Sequence, residues 1–558
     1  MSLCPTPGLA PVKSPLRDIF DNPAYPVPAA VSKRAEFFLF FADVIYPMLE
    51  TYRVALNALY CDNNGRPAID PVLLQGVLVL QFIERMPDRQ AAEAVQYNTC
   101  WKLALNLSLE SPSFDPSLLV VFRKRLLTGG LESLVFQAVL DRLVKDGWVA
   151  KRTKQRLDST HVCGLLSHMS RLECVRETIR LALEYLERRQ LLPESWTTLW
   201  DHYVESKVDP RCAVEALKTK FLQAGKDMCT ILEWANTQDV AIKDAESIRL
   251  AQRVFDENYE RDEQGEYQQT RAQPTGAVHN PHEPQAQWSS KSTIKDKTWV
   301  GYKTQVAETV QEEPREAGEP TQNFITAIVT QNASESDKPG MAIVLSEQAN
   351  MGLEPPPVLY VDGAYVCGPS LHEAQEDFRE LHGPAPASPD RGKVFTVEAF
   401  DIKVEERQAI CPSGQASSNC SRLREEKTGK VDYRFEWNST LCGVCPRRAE
   451  CIAATQTHRT LVVGEYHTLL QARRREMLTE SFKLDMHHRN GIEGTQSELI
   501  RGYGLRHARY RSLAKTRLQN YLIGAACNLR RWFRRVQWEA ARTPRTLVLA
   551  QAAATGKT

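Results

Sequence analysis

The chain has almost no net charge. Its 70 Lys and Arg offset 69 Asp and Glu over 558 residues, leaving +1 with His neutral, so bulk electrostatics names no partner. Long apolar runs are also missing. The most hydrophobic windows, AEFFLFFADVIYPML and LLQGVLVLQFI, are interrupted by Asp43, Pro47 or Gln81 and are too short to cross a bilayer, so no membrane association is expected. The opening MSLCPTPGLAPVKSPLRDIF places prolines where a signal peptide has its apolar core, and its Lys and Arg follow rather than precede that core, which predicts a protein kept inside the cell. No phosphate-cradling Gly-rich loop occurs, which argues against an ATP-driven motor. Ser159 and His161 flank Asp158, but no nucleophile elbow surrounds the serine, so a Ser–His hydrolase is not indicated. Internal repeats are not evident.

What is present is ordinary globular composition, 42% hydrophobic and 25% charged, with length for about three domain-sized units. Residues 1–30 are proline-rich and read as an irregular segment. From Ala35 to Leu127 the pattern is helical: Pro71 begins an apolar run through Phe82, Asp88 is placed to cap DRQAAEAV, and Asp115 or Ser117 to cap SLLVVFRKRLL. A helical unit over 31–150 follows from this.

Three acids then stand out by their surroundings. Asp158 lies in KQRLDSTHV, Asp362 in PVLYVDGAYV and Glu493 in HRNGIEGTQSELIRGYG. The first two are read as ending short β-type runs, the third as opening a helix. An acid at the end of a buried apolar run such as VLYV is costly to desolvate unless it is paired or binds metal. Elements that brought these ends together would make one carboxylate cluster from three distant places, which suits a divalent cation and phosphate chemistry.

These segments resemble the DDE transposases of bacterial insertion sequences. Leu157 to Val162 resembles that family's first strand, Asp362, Gly363, Ala364 and Tyr365 its Asp-x-Gly-Tyr turn, and the block from Arg489 through Glu493 to Tyr510 gives the densest agreement. WVGYKTQVAETV (299–310) and NFITAIVTQNASESD (323–337) resemble the second and third strands. The chain departs from the family's Tyr-x2-Arg-x3-Glu-x6-Lys pattern at Met486 and Ile500, with Arg501 a substitute for the basic residue.

The resemblance implies an α/β fold: a ribonuclease H-like mixed sheet over 151–540, an all-α N-terminal domain before it and a tail at 541–558. The 203 residues between the first two acids and the 130 between the second and third require insertions, placed at 164–297 (helical, then a polar linker) and 366–485 (Cys-rich). It further implies a metal-dependent transposase that cleaves DNA strands and transfers them at an element's ends. Asp158, Asp362 and Glu493 would hold Mg2+ (or Mn2+), double-stranded DNA (terminal inverted repeats and target) would be the partner, and a homodimer would form on DNA at the bacterial nucleoid in the cytoplasm. The alternatives are a transposase-derived DNA-binding protein without catalysis and a related metal-dependent nuclease.

Two further features bear on partners. Residues 501–535 hold ten Lys or Arg and no Asp or Glu, interleaved with Tyr503, Tyr510, Tyr521, Trp532 and Phe533. That reads either as a DNA-binding helical surface or as a basic face packed on the core through its leucines. Arg489, Arg501, Arg506, Arg509, Arg511 and Lys515 are the candidate DNA contacts here, joined by Arg123, Lys124 and Arg125 in the helical domain. Of fourteen cysteines, Cys411, Cys420, Cys442, Cys445 and Cys451 fall within 41 positions. A set of Cys411, Cys442, Cys445 and Cys451 suits a tetrahedral Zn2+ site, with reduced thiols in an inserted loop as the other reading.

Overall fold

In the computed structural model the described residues are 16–17, 29–61, 67–206, 214–291, 298–311, 323–388, 394–426, 429–453 and 455–555. The proline-rich opening expected to be irregular lies almost wholly outside them, as do residues 292–297 of the polar linker.

The main sheet is built from β1 (Gln155–Cys163), β2 (Gln287–Ser290), β3 (Thr298–Thr309), β4 (Ile325–Asn332), β5 (Val358–Tyr360) and β6 (Glu380–His382). Its order is β4–β3–β1–β5–β6, with β2 added beside the start of β3. β3 is antiparallel to both β1 and β4, whereas β5 and β6 run parallel to β1. This antiparallel trio with two parallel strands is the ribonuclease H-like mixed α/β arrangement. Alternation along the strands divides the buried residues between two faces. Leu157, Ala307 and Leu359 turn to one apolar cluster, shared with Met341 and Val344 of a crossover helix at Asp337–Asn350, and Val162, Tyr302 and Val306 turn to the other.

That second face carries the largest core. It runs without interruption from Phe37 and Phe41, through α1 (Pro71–Glu84) and α2 (Ser117–Thr128), to Leu522, Leu529 and Phe533 on the long C-terminal helix. Asp70 caps α1 by accepting from the Val72 amide, with Pro71 at the first helical position, where a missing N–H costs nothing. Asp88 and Ser117 do not cap as the sequence suggests. Asp88 lies inside its helix and takes Arg123 and Gln81, while Asp115 accepts from the Ser117 amide at 2.8 Å.

The helical insertion forms its own core around α3 (Arg171–Arg188) and α4 (Glu246–Asn258), with α3 begun by a reciprocal Ser170/Glu173 capping box. Within the stretch read as a linker, two short strands pair at 259–261 and 267–269. A second small module, with a three-stranded sheet at 419–424, 431–436 and 460–464, has a core of eight buried apolar side chains.

α5 (His487–Tyr503) and α6 (Leu513–Thr555) complete the layer packed on the main sheet. Gly504 ends α5 at φ 79, the left-handed C-terminal position where a glycine carries no Cβ penalty. α6 lies on the sheet and is keyed to it by polar groups. Asn520 reaches Thr304 and Thr330 at 2.9 and 2.8 Å, and Asn528 pairs with the N–H and C=O of Ile325. The backbone of α6 continues through residues 541–555, the stretch expected as a tail. Among the described residues no helix is long and apolar enough to cross a membrane.

Candidate active site

Strand register brings the first two acids together. β1 and β5 pair in parallel with Gln155 opposite Leu359 and Arg156 opposite Tyr360, a constant offset of 204 (359 − 155). Asp158 lies two residues past this pairing on β1 and Asp362 two residues past the end of β5, and the Asp362 charge acts on the Asp158 carboxyl, so the two acids are near neighbours. Asp158 lies within β1 rather than at its end, and Asp362 just past β5, where it accepts from the Ala364 amide at 2.8 Å and fixes the turn.

α5 lies against this part of the sheet. Arg156 donates to the His488 carbonyl at 2.9 Å, Gln496 to the Ser159 carbonyl at 3.3 Å, and the rings of Tyr360 and His488 meet at 5.5 Å. Glu493 therefore sits in the second turn of α5, not at its opening, and is exposed. One guanidinium joins the carboxylates. Arg489 donates through Nη2 to Asp158 at 2.9 Å and through Nη1 to Glu493 at 3.2 Å. Among the described residues its buried Nε has no hydrogen-bond partner.

Beneath the helix lies an internal charge network. Glu308 on β3 is fully buried and accepts from Arg156 at 2.7 Å, Arg531 at 2.9 Å and the Thr495 hydroxyl at 2.7 Å. Arg156 passes so close under α5 that a Cβ at position 491 would lie 2.0 Å from its Nη1, which explains Gly491.

Burial raises the Asp158 carboxyl above its ordinary range; the Arg489 charge and the Ser159 amide pull it back, and Asp362 pushes it up again. Lys291, an exposed residue after β2, also acts on Asp158 and on His161. Nothing in its local sequence marks it, since only the fold brings that loop to β1. Among the described residues no group of three or more His, Cys, Asp or Glu is drawn together closely enough to hold an ion. The donor chemistry nevertheless suits one: Asp158 on β1 and Glu493 on the docked helix already share a cation, the Arg489 guanidinium, and the Asp362 charge acts on Asp158.

The basic candidates divide. Arg123 is buried, forms a two-pronged pair with Asp88 at 2.9 and 2.5 Å and lies 4.5 Å from the Tyr510 ring, so it is engaged inside the fold and is not a free surface cation. Arg125 stacks on Tyr60, Arg506 donates to the His161 carbonyl, and Arg509 donates to the Met86 carbonyl over the Phe82 ring. Lys124, Arg501, Arg511 and Lys515 are exposed. Tyr503, Tyr521, Trp532 and Phe533 are buried, which makes them core rather than stacking platforms for bases. Ile500 packs against the main core, and the neighbouring Arg501 faces outward while its carbonyl takes Arg85.

Two family descriptions match this chain: transposase DDE domain over residues 410–533, and transposase domain DUF772 over residues 30–125. The first spans Glu493, its helix and much of α6; the second spans α1 and most of α2. The chain belongs with the DDE transposases of insertion elements. No curated protein matches it. The transposase thus carries its two matched segments on either side of the strands that supply Asp158 and Asp362, and those strands follow the mixed-sheet order described above.

Proposed function

We propose that this transposase cleaves DNA strands at the ends of its element and joins them to a target in a divalent-metal-dependent reaction, with Asp158, Asp362 and Glu493 as the acidic triad. The observation that supports the reading is the Arg489 guanidinium joining Asp158 to Glu493, with Asp362 near enough for its charge to act on Asp158. Mg2+ or Mn2+ bound there would activate the attacking hydroxyl or water and stabilise the leaving oxygen of a phosphodiester.

The protein's own groups prepare that site. Asp158 is oriented by the Ser159 amide at 2.7 Å and Asp362 by the Ala364 amide, so neither carboxylate needs to search for its rotamer. Arg489 pairs with Asp158 and Glu493, and its guanidinium suits a DNA phosphate once the carboxylates have another partner. Arg501, Arg511, Lys515, Lys124 and Lys291 supply exposed positive charge for a DNA backbone. Terminal inverted repeats and target duplex are the DNA partners, engaged by a homodimer because two ends must be joined.

The test is a cleavage and strand-transfer assay on duplexes carrying the element's own ends, with Mg2+ or Mn2+. The unaltered chain gives metal-dependent products, and Asp158→Ala, Asp362→Ala and Glu493→Gln give none while still shifting the DNA in a gel. Cleavage that survives any one substitution removes that residue from the triad. Binding without cutting by every form, the unaltered chain included, assigns the protein to DNA binding without catalysis.

A further inference from the structure

We propose that Cys411, Cys442, Cys445 and Cys451 bind one Zn2+ that locks the small β module inserted before α5. All four line a single small cavity, together with Trp437 and Phe395. The cysteines arrive from two tight turns. Cys411–Pro412–Ser413–Gly414 folds back with the Gly414 amide donating to the Cys411 carbonyl at 2.8 Å and Gly414 at φ 76, and Cys442 to Cys445 spans a short helix and its end, where the Arg448 amide takes the Cys445 carbonyl at 3.1 Å.

Two independent features point to an ion. Three arginines, Arg447, Arg448 and Arg459, line the same cavity. Arg448 reaches the Cys442 carbonyl at 3.3 Å and Arg459 the Cys451 carbonyl at 2.6 Å. Arg447 also pairs with Glu450, and Arg448 and Arg459 also hold the Gln456 and Phe395 carbonyls; their charge offsets the two net negative charges that Zn2+ with four thiolates carries. The module's own core is also small, eight buried apolar side chains, the situation in which a structural metal stabilises a fold that burial alone would leave marginal. Binding releases four thiol protons to solvent, and the sulfurs, which do not yet converge on one point, draw in to Zn–S distances of about 2.3 Å. Cys420 belongs to the same module, packing on its core, but does not line the cavity. It serves as the internal control.

The experiment uses the full-length chain, expressed with zinc in the medium and purified without chelators. Elemental analysis should find one zinc per chain. Replacement by Co2+ should give the intense visible bands of tetrahedral thiolate coordination together with sulfur-to-metal charge transfer. Cys445→Ser should lose the bound metal and melt at lower temperature, whereas Cys420→Ser should keep both metal and melting temperature. If Cys445→Ser does not fold, the Co2+ spectrum of the unaltered chain decides alone. Folded protein that carries no zinc and gives no thiolate spectrum with Co2+ overturns the proposal, and loss of metal from Cys420→Ser with retention by Cys445→Ser overturns the ligand set. None of these readouts depends on DNA cleavage, so the site stands or falls apart from the catalytic reading.

Discussion

Replacing Glu308 by alanine should loosen the catalytic helix from beneath. The carboxylate is fully buried and receives Arg156, Arg531 and Thr495. Alanine leaves Arg156 with the His488 carbonyl but without its counter-charge, while Arg531 retains Glu498 at 2.8 Å. Removing one partner of a buried ion pair costs about 3–5 kcal/mol. Because Arg531 keeps a carboxylate, the lower end applies, about 3 kcal/mol. Urea denaturation should show that loss as a lower midpoint with an unchanged slope. Arg156 is the contact that fixes the first turn of α5, so strand cleavage should fall by more than DNA binding does. Glu308→Gln keeps the shape and one acceptor and should lie between. A loss under about 1 kcal/mol with full cleavage would mean that Ile492 and Leu499, the buried apolar side of α5, hold the helix unaided.

Gly491→Ala should act on the same contact from the other side: the added methyl collides with Arg156, so cleavage and stability both drop, and a variant that melts and cleaves normally would show that Arg156 can move away freely. Arg489→Gln removes the guanidinium that Asp158 and Glu493 share, so Mn2+ binding to the DNA-free protein, read by electron paramagnetic resonance, should tighten; an unchanged dissociation constant would mean that Arg489 does not compete for those oxygens. Burial, aided by Arg474, pushes the His467 imidazole down to about 4. The unfolded chain therefore binds this proton more readily, stability falls as pH drops from about 6.5 towards 4, and the full cost is about 3 kcal/mol. His467→Gln should flatten that part of a stability-versus-pH curve, and an identical curve would place the acid sensitivity elsewhere.

Much of the site was legible because its chemistry conflicts with its surroundings. Asp362 after VLYV and Asp158 amid apolar and β-branched residues are acids set against apolar runs, and periodicity puts one within a strand and the other at a strand's end. Their approach depends on strand pairing across a long insertion, so the sequence could not supply it. Arg156 and Glu308 carried a weak signal, opposite charges within strands otherwise suited to burial, but nothing local says that they meet or that they seat α5. The basic and aromatic stretch at 501–535 shows the opposite difficulty. Composition could not tell which side of a helix faces the sheet, and the rings prove to be core while Arg501, Arg511 and Lys515 remain outside. Arg123 shows the same limit: three adjacent basic residues point in three directions around a helix, and one of them points inward to Asp88.

The uninterrupted core from Phe37 to Phe533 has a consequence for how such elements can change over time. The helices before residue 150 and the helix that closes the catalytic layer interdigitate: Phe40 meets Trp532 edge-on at 5.2 Å, and Phe37 meets Phe533 at 5.3 Å. A front half taken from another element would arrive with the wrong knobs for these holes. Recombination between elements is then productive only where both surfaces travel together, whereas the helical insertion, with a core of its own, can be lengthened, shortened or exchanged without disturbing that fit.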